Sequence, residues 1–466
     1  MHLIEHIQQF VEELSPAHIS VAVSGGLDSV VLLDVLVRVR NASSVALPWH
    51  LSIVHVNHSL SPNAHVWQSK VEMLAHTYGL PCEVYHVDVD SADGGLESAA
   101  RTARYNAITE HLSEQSLVLT GHHQNDQAET LLLRLCRGAG VEGLAAMRPL
   151  RRLGAGMLGR PLLPFARNQL LSYAQDHALY WVDDESNDDV RFDRNFVRAE
   201  VLPLLETRWP AAVRQLAQAA ELCGETSDLV GLHVAKLMEN IARCKESLGE
   251  SISLEAFKAL GAIERRLVLR AWLNELGTLM PPLQQFVHLD ALLNAAQDRM
   301  PEWVVDAQVL RRFQARLYCL PIVGDVHPFV DAALPANGVP QVFESNGFRL
   351  VAEPSDQGGL ALGRDYLVTQ RSSVGQMRSK PVGRMHSQTL KKLYLEYGVP
   401  PWLREHVPIF LHDGEVAAVG DYWVDQKFWI AAGSPAWSLK WRYISCLLYT
   451  SPSPRDLSTS RMPSSA

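Results

Sequence analysis

Residues 18–33 read His-Ile-Ser-Val-Ala-Val-Ser-Gly-Gly-Leu-Asp-Ser-Val-Val-Leu-Leu, and the order of residue types in this stretch decides the fold. The apolar run from Ile19 to Val23 is typical of a buried strand, and apolar residues recur with a helical period from Leu27 to Val39. The two glycines between them allow a tight turn close to a ligand, and the first amides of the helix carry partial positive charge. The stretch therefore predicts a strand, a glycine turn and a helix that together bind an anion.

The turn also carries side chains that suit a nucleotide. Two serines add hydroxyl groups, and Asp28 adds a carboxylate that can hold a divalent metal beside bound phosphates. The spacing is neither that of a Walker A loop, which needs a following lysine, nor the Gly-x-Gly-x-x-Gly of dinucleotide folds. A plain turn before a helix is the alternative. Our candidate nucleotide-binding residues are Ser24, Gly25, Gly26, Leu27, Asp28 and Ser29.

Composition places the chain among soluble globular proteins. Its 466 residues suggest two to four domains at roughly 150 residues each, and 47% are hydrophobic and 20% charged. We find neither a long uncharged apolar run nor a signal peptide, so we expect a cytoplasmic protein with no membrane partner. The six cysteines include no Cys-x-x-Cys pair, which disfavours a disulfide framework, a zinc ribbon or an iron-sulfur site.

Charge is unevenly distributed along the chain. The net charge is −9, yet residues 371–404 hold seven basic residues against one acid. Because polyanion binding depends on the local field, this segment is a candidate nucleic-acid surface despite the acidic total. A solvated basic face is the alternative.

Further apolar runs at 51–56, 83–87 and 117–120 are each followed by a segment of helical length. Strands that alternate with helices predict a doubly wound parallel α/β sheet with right-handed crossovers, and ligands bind such sheets at the carboxyl ends of the strands. The glycine turn lies at such an end.

A second polar segment follows the run at 117–120. If a helix begins near Asn125, His122 lies at its entrance, and Asp126 and Glu129 share one face. An imidazole and two carboxylates can orient a metal or a substrate amine, whereas capping by first-turn acids is the alternative. Upstream, Glu97 and Arg101 have the four-residue spacing of a surface ion pair on a helix; the alternative is that Arg101 or Arg104 faces the nucleotide.

Several motifs resemble the tRNA(Ile)-lysidine synthase family of the PP-loop ATPase superfamily, in the family's order, over about residues 15–440. They are SGGLDS at 24–29, GHHQNDQAET at 121–130, RGAGVEGLAAM at 137–147, DRNFVR at 193–198 and LKKLYLEYGVPPWLRE at 390–405. One departure lies at Val374-Gly375-Gln376, where the family usually has Gly-Gly-Glu, and it puts the tRNA contact of that turn in doubt.

The resemblance implies an ATP- and Mg²⁺-dependent enzyme that ligates free L-lysine to the wobble cytidine of a tRNA(Ile) with a CAU anticodon, and that forms a homodimer. It assigns Asp28 to the metal and the glycine turn to the nucleotide, and Arg101 is a further candidate nucleotide-binding residue from the helix pattern. The catalytic residues that it implies are Asp28, His122, Asp126, Glu129 and Arg194. The alternatives are a tRNA-thiolating PP-loop enzyme, a small-molecule adenylating ligase and a non-catalytic tRNA-binding ATPase homologue.

The same resemblance, combined with the patterns, predicts five segments. They are a Rossmann-like PP-loop ATPase domain at 1–209, a helical tRNA-positioning domain at 210–325, a linker with strands at 326–365, a small α+β tRNA-binding domain at 366–443, and a non-native disordered tail at 444–466.

Overall fold

The computed structural model describes residues 2–42, 48–58, 63–87, 96–182, 189–279, 281–296, 299–323, 332–345 and 347–444. For residues 96–98 it describes the backbone only. They form two compact units, one ending at His233 and one beginning at Val234. All but the first residue of the predicted tail lies outside the described residues. In the described part, no helix is long and apolar enough to cross a membrane.

The first unit contains a six-stranded sheet with the order β3-β2-β1-β4-β6-β5, in which only β5 is antiparallel to its neighbour. Its strands are β1 His18–Ala22, β2 His50–Asn57, β3 Cys82–His86, β4 Ser116–Thr120, β5 Leu150–Leu153 and β6 Gly156–Gly159. Its helices are α1 Leu3–Leu14, α2 Leu27–Ala42, α3 Ala64–Tyr78, α4 Leu96–Thr109, α5 Gln124–Cys136, α6 Val141–Leu144, α7 Arg167–Asp176, α8 Asp193–Phe196, α9 Leu202–Arg208 and α10 Ala212–Glu239, which contains the boundary between the units.

The parallel sheet predicted from the apolar runs is confirmed. Strand β1 lies between β2 and β4, and His18 is in parallel register with both His50 and Ser116. The β5–β6 hairpin was not predicted, because its strands are four residues long and contain arginines and glycines rather than an apolar run. The order places the carboxyl ends of β1 and β4 side by side, so that the segments following these strands meet.

Helix α2 is held by packing on almost every side. Its Leu32, Leu33 and Leu36 are fully buried, and burial of each such side chain contributes about 1.5–3 kcal/mol. The buried Asp34 accepts hydrogen bonds from the hydroxyls of Tyr78 and Tyr173, both at 2.8 Å, and from Arg38 Nε at 2.6 Å. These bonds compensate the cost of burying a carboxylate. The glycine turn thus leads into a firmly anchored helix.

The second unit begins with an antiparallel sheet of order β7-β8-β11-β10-β9. Its strands are β7 Arg243–Lys245, β8 Glu250–Ser253, β9 Glu302–Val305, β10 Gln308–Phe313 and β11 Arg316–Pro321, and its helices are α11 Leu254–Ala259, α12 Ala262–Glu275 and α13 Val287–Asn294. Buried Phe257 and Trp272 lie in its core. The helical pattern predicted for residues 210–293 was incomplete, because β7 and β8 are short and polar.

The remainder of this unit has two antiparallel sheets, β12-β16-β19-β20-β21 and β13-β14-β23-β15-β22, and the pair β17-β18. The elements are β12 Ala333–Leu334, β13 Gln341–Ser345, β14 Phe348–Ser355, β15 Gly359–Ala361, β16 Tyr366–Thr369, β17 Arg378–Ser379, β18 Gln388–Thr389, α14 Leu390–Glu396, β19 Ile409–His412, β20 Glu415–Val419, β21 Trp423–Val424, β22 Trp429–Ile430 and β23 Ala436–Tyr443. The predicted fold class is confirmed: a parallel α/β domain is followed by helices and a C-terminal α+β region.

Candidate functional site

The glycine turn between β1 and α2 is closed by its own serines. Ser29 Oγ donates to the carbonyl of Gly26 at 2.9 Å, and the amide of Ser24 donates to Ser29 Oγ at 3.2 Å. Gly25 has a φ of +90°, which strains any residue with a Cβ. The predicted turn and the helix start at Leu27 are confirmed. The first amides of α2 lie directly after this turn, as an anion site requires.

The end of β4 reaches this turn through a glycine. A Cβ on Gly121 would lie 2.9 Å from the backbone carbon of Asp28 and from the backbone nitrogen of Ser29. Real Cβ atoms essentially never approach backbone so closely, so only glycine fits without a shift. This close approach brings the second polar segment against the first turn of α2.

His123 joins the two segments. It is the N-cap of α5, and its Nε2 lies 3.5 Å from Asp28 Oδ2 and 3.5 Å from Asp126 Oδ2. Burial lowers the pKa of this imidazole, but the carboxylates of Asp126 and Asp28 outweigh burial and raise it above its ordinary value. His123 therefore holds the carboxylate of Asp28, from the glycine turn, close to the carboxylate of Asp126, from α5.

The two acids of α5 are paired with two arginines. One arginine lies on α8, and the other lies on the π-helical turn Val197–Val201 that follows it. Arg194 donates to Asp126 Oδ1 and to Glu129 Oε2, both at 2.8 Å. Arg198 donates through Nε to Glu129 Oε1 at 2.7 Å and through Nη2 to Asp126 Oδ1 at 3.1 Å. Burial opposes ionisation of Asp126, but His123 and Arg194 hold its pKa well below its ordinary value. Two guanidinium groups and one imidazole thus compensate the two buried carboxylates.

His122 takes a different environment from its neighbour. Its Nδ1 lies 2.8 Å from Thr120 Oγ1 at the end of β4. Burial, together with the nearby Arg160 guanidinium, lowers its pKa well below the ordinary value. His122 is therefore a neutral imidazole at neutral pH.

Arg101 lies on α4, with its guanidinium carbon 5.3 Å from the centroid of the Tyr105 ring. Tyr105 is buried and also hydrogen-bonded to Arg151 and Arg160. Burial raises the pKa of its phenol, but the three guanidinium groups outweigh burial and lower the pKa to about 8. The exposed guanidinium of Arg101 belongs to a cationic group whose charge also reaches His122.

The structure brings the predicted residues of the glycine turn together with Asp126, Glu129 and Arg194. His122 is close enough to Asp126, Arg194 and Arg101 for all three charges to affect its pKa. Sequence reasoning missed His123 and Arg198. The capping-box spacing of His123 and Asp126 could have indicated the first. The four-residue spacing of Arg194 and Arg198 could have indicated the second.

A divalent metal fits at Asp28. Its Oδ1 is buried and has no hydrogen-bond partner in the described part of the chain. No group of three His, Cys, Asp or Glu side chains suited to a metal occurs among the described residues. Magnesium is commonly held by one or two carboxylates plus substrate phosphates, so a single carboxylate beside a phosphate-binding turn is a sufficient protein contribution.

The basic segment at 371–404 is partly neutralised in the second unit. Arg371 Nη1 lies 3.3 Å from Glu405 Oε1, and Arg384 is paired with Glu396. Lys391 and Lys392 are exposed on the first turn of α14. Because these two lysines are exposed, the segment is still a candidate surface for binding a polyanion.

Models of three protein families match the chain. A PP-loop domain covers residues 1–205, a TilS substrate binding domain covers residues 252–318, and a TilS substrate C-terminal domain covers residues 368–441. The first match contains every residue of the candidate site.

Whole-chain relatives agree with these matches. A tRNA(Ile)-lysidine synthase from Serratia proteamaculans is 36% identical over 433 residues, which are 91% of this chain and 95% of the relative. One from Methylococcus capsulatus is 38% identical over 419 residues, covering 89% and 93%. Among solved structures, the U34-tRNA thiolase NcsA from Methanococcus maripaludis shows 14% identity and a TM-score of 0.40, covering 48% of this chain and 80% of that chain. That likeness is too distant to indicate an activity.

Proposed function

The chain belongs to the tRNA(Ile)-lysidine synthase family, and from that premise we propose that it joins free L-lysine to ring carbon 2 of the wobble cytidine in a tRNA(Ile) with a CAU anticodon. It is a ligase of this type and uses ATP through its PP-loop domain. The proposal places the enzyme in the cytoplasm, with its substrates, and includes a homodimer as an expectation from the family.

In the first step, the cytidine oxygen on carbon 2 attacks the α-phosphorus of ATP, and pyrophosphate leaves. The α2 amides at the glycine turn face the charge that develops on pyrophosphate, and Asp28 would hold Mg²⁺ there, which neutralises phosphate charge when bound. Arg101 is exposed on α4, and we assign it a phosphate oxygen of ATP as its partner.

In the second step, the ε-amine of lysine attacks carbon 2, and AMP leaves with the former cytidine oxygen. Lysine arrives as an ammonium ion and must first lose a proton. We assign this proton to the imidazole of His122, which follows β4 at the edge of the sheet where the glycine turn lies. Asp126 lies at the same edge of the sheet, where it orients His123 and the two arginines.

Glu129 and Arg194 act less directly in this proposal. Both oxygens of Glu129 already accept hydrogen bonds from Arg194 and Arg198, so Glu129 has no role as a base. Its charge instead fixes the two arginines, which in turn orient Asp126. We therefore assign Glu129, Arg194 and Arg198 as positioning residues.

The observation that carries the proposal is the contact of His123 with both Asp28 and Asp126. Through it, the glycine turn and the acid–arginine group of α5 lie at one edge of the sheet, which supports adenylylation and amine attack at a single site. A thiolating enzyme of the superfamily is less favoured, because the whole-chain relatives are lysidine synthases.

The test is transfer of radiolabelled lysine to a tRNA(Ile) transcript in the presence of ATP and Mg²⁺. We expect incorporation that depends on ATP and disappears when the CAU anticodon is changed. No incorporation, alongside a lysidine synthase that does incorporate lysine, would refute the proposal. Sedimentation of the same preparation tests the dimer.

A further inference from the structure

The second unit contains a cavity of about 210 Å³, and all of its lining residues belong to that unit. Its walls come from the β7–β8 turn, from β11, from the segment after α14 and from the β20–β21 turn. Four of its lining residues are aromatic: Tyr318, Tyr397, Trp402 and Tyr422.

The rings of this aromatic cavity are held in place by their neighbours. Tyr318 meets Trp402 edge to face, with ring centroids 5.2 Å apart. Tyr397 packs against Trp423 at 5.0 Å. Burial raises the pKa of Tyr318 to about 12, so its hydroxyl stays protonated. These contacts fix the positions of the rings before any ligand binds.

The polar groups of the cavity favour a neutral ligand with hydrogen-bonding edges. Trp402 Nε1 is buried and has no hydrogen-bond partner among the described residues, so a donor is available. The carboxylate of Glu246 accepts a hydrogen bond from Ser251 and lies 3.5 Å from Arg316 Nε, which offsets its charge. An ammonium ligand would find no free negative charge, and a phosphate would find no lysine or arginine in the lining.

Size points to a single heterocycle. At about 30 Å³ per water the space corresponds to roughly seven waters, and it is smaller than the ~300–1,000 Å³ of sites for drug-sized ligands. Sequence-specific RNA recognition commonly places an unstacked base against aromatic side chains and bonds its edges. The four rings belong to the two regions matched by substrate-domain families, with Tyr318 at the end of one and the other three rings in the second.

We propose that the aromatic cavity receives one unpaired nucleobase of the RNA substrate and so helps to position that RNA. The inference rests on the proposed tRNA substrate. The base stacks on the rings, and Trp402 Nε1 donates to an acceptor on its edge. The site is one of binding and involves no bond making.

The experiment uses the full chain with a tRNA(Ile) transcript. Irradiation at short ultraviolet wavelength should cross-link one nucleotide to a peptide containing residues 397–402, found by mass spectrometry. Tyr397→Leu, which removes an aromatic face at a position 36% exposed, should raise the Kd for tRNA about 5- to 150-fold. Trp429→Leu, a control at 39% exposure in the same unit but outside the lining, should leave the Kd unchanged.

An abasic substitution at the cross-linked nucleotide separates base stacking from a general structural effect. It should weaken wild-type binding and make wild type and Tyr397→Leu bind equally. If wild type binds tRNA and transfers lysine, but no cross-link forms in this peptide and Tyr397→Leu binds as wild type, the cavity inference is wrong and the proposed function stands. If wild type neither binds tRNA nor transfers lysine, both the proposed function and this inference are wrong.

Discussion

Removing the charge of Glu129 should destabilise the first unit strongly. Glu129 is fully buried and accepts hydrogen bonds from Arg194 at 2.8 Å and from Arg198 at 2.7 and 3.0 Å. Glu129→Gln keeps the shape of the side chain but removes its charge. Asp126 is then the only carboxylate left to pair with the two guanidinium groups. One amide N–H of the new side chain also faces a guanidinium donor.

The magnitude follows from the burial of the partners. Breaking a buried ion pair costs about 3–5 kcal/mol, and the side chains of Arg194 and Arg198 are 20% and 35% exposed, which favours the lower end. For a unit of this size, about 3 kcal/mol corresponds to a fall in Tm of about 6–12 °C. Lysine transfer should fall too, because Asp126 loses the arginines that orient it.

The assay is thermal unfolding followed by circular dichroism, with Asp193→Asn as the matched control. Asp193 lies beside Arg194 and pairs with Arg137 at 3.2 Å, but the two side chains are 74% and 70% exposed, so its loss costs no more than about 1 kcal/mol. Equal Tm values for the two variants would refute the claim that the acid–arginine group is a buried, charge-balanced structure.

Three further predictions concern the site. Gly121→Ala forces a Cβ into the backbone of Asp28, so it should reduce ATP-dependent lysine transfer and lower the free energy of unfolding by about 1–3 kcal/mol. In the control Gly140→Ala, the new Cβ meets nothing within 4 Å, so neither quantity should change. Equal activities of the two variants would contradict the close packing at Gly121. Tyr105 should ionise with a midpoint near pH 8, seen as an absorbance step at 295 nm that is absent from Tyr105→Phe. Its lowered pKa stabilises the fold above pH ~10, and that stability is lost as pH falls through about 8. A first tyrosine midpoint near 10 would contradict the lowering of this pKa by the three surrounding guanidinium groups. Asp28→Asn should lower pyrophosphate release at limiting Mg²⁺ while the Kd for tRNA stays within about twofold, and unchanged release would exclude Asp28 as the metal ligand.

The parts of the site that depend on local pattern could be predicted from the sequence. Gly25 and Gly26 between two apolar runs indicated the anion turn, and the three-residue spacing of Asp126 and Glu129 placed both on one helix face. These features follow from the periods of strand and helix, which a sequence displays directly.

The missing parts depend on contacts between distant segments. Arg198 reaches Glu129 across 69 residues, and the role of His123 appears only when β4 ends beside β1. The β7–β8 hairpin was missed because its short, polar strands depend on pairing with β11 rather than on their own composition. The aromatic cavity forms from segments more than 150 residues apart, so no single motif could reveal it.

The most direct test of the account is the mass of the anticodon nucleotide after reaction. Wild-type protein, ATP, Mg²⁺, lysine and tRNA(Ile) should give a CAU-anticodon fragment heavier by one lysine residue, with one AMP and one pyrophosphate formed per modified tRNA. An unmodified cytidine despite bound tRNA and ATP, or a cytidine in which sulfur replaces the oxygen on carbon 2, would contradict it.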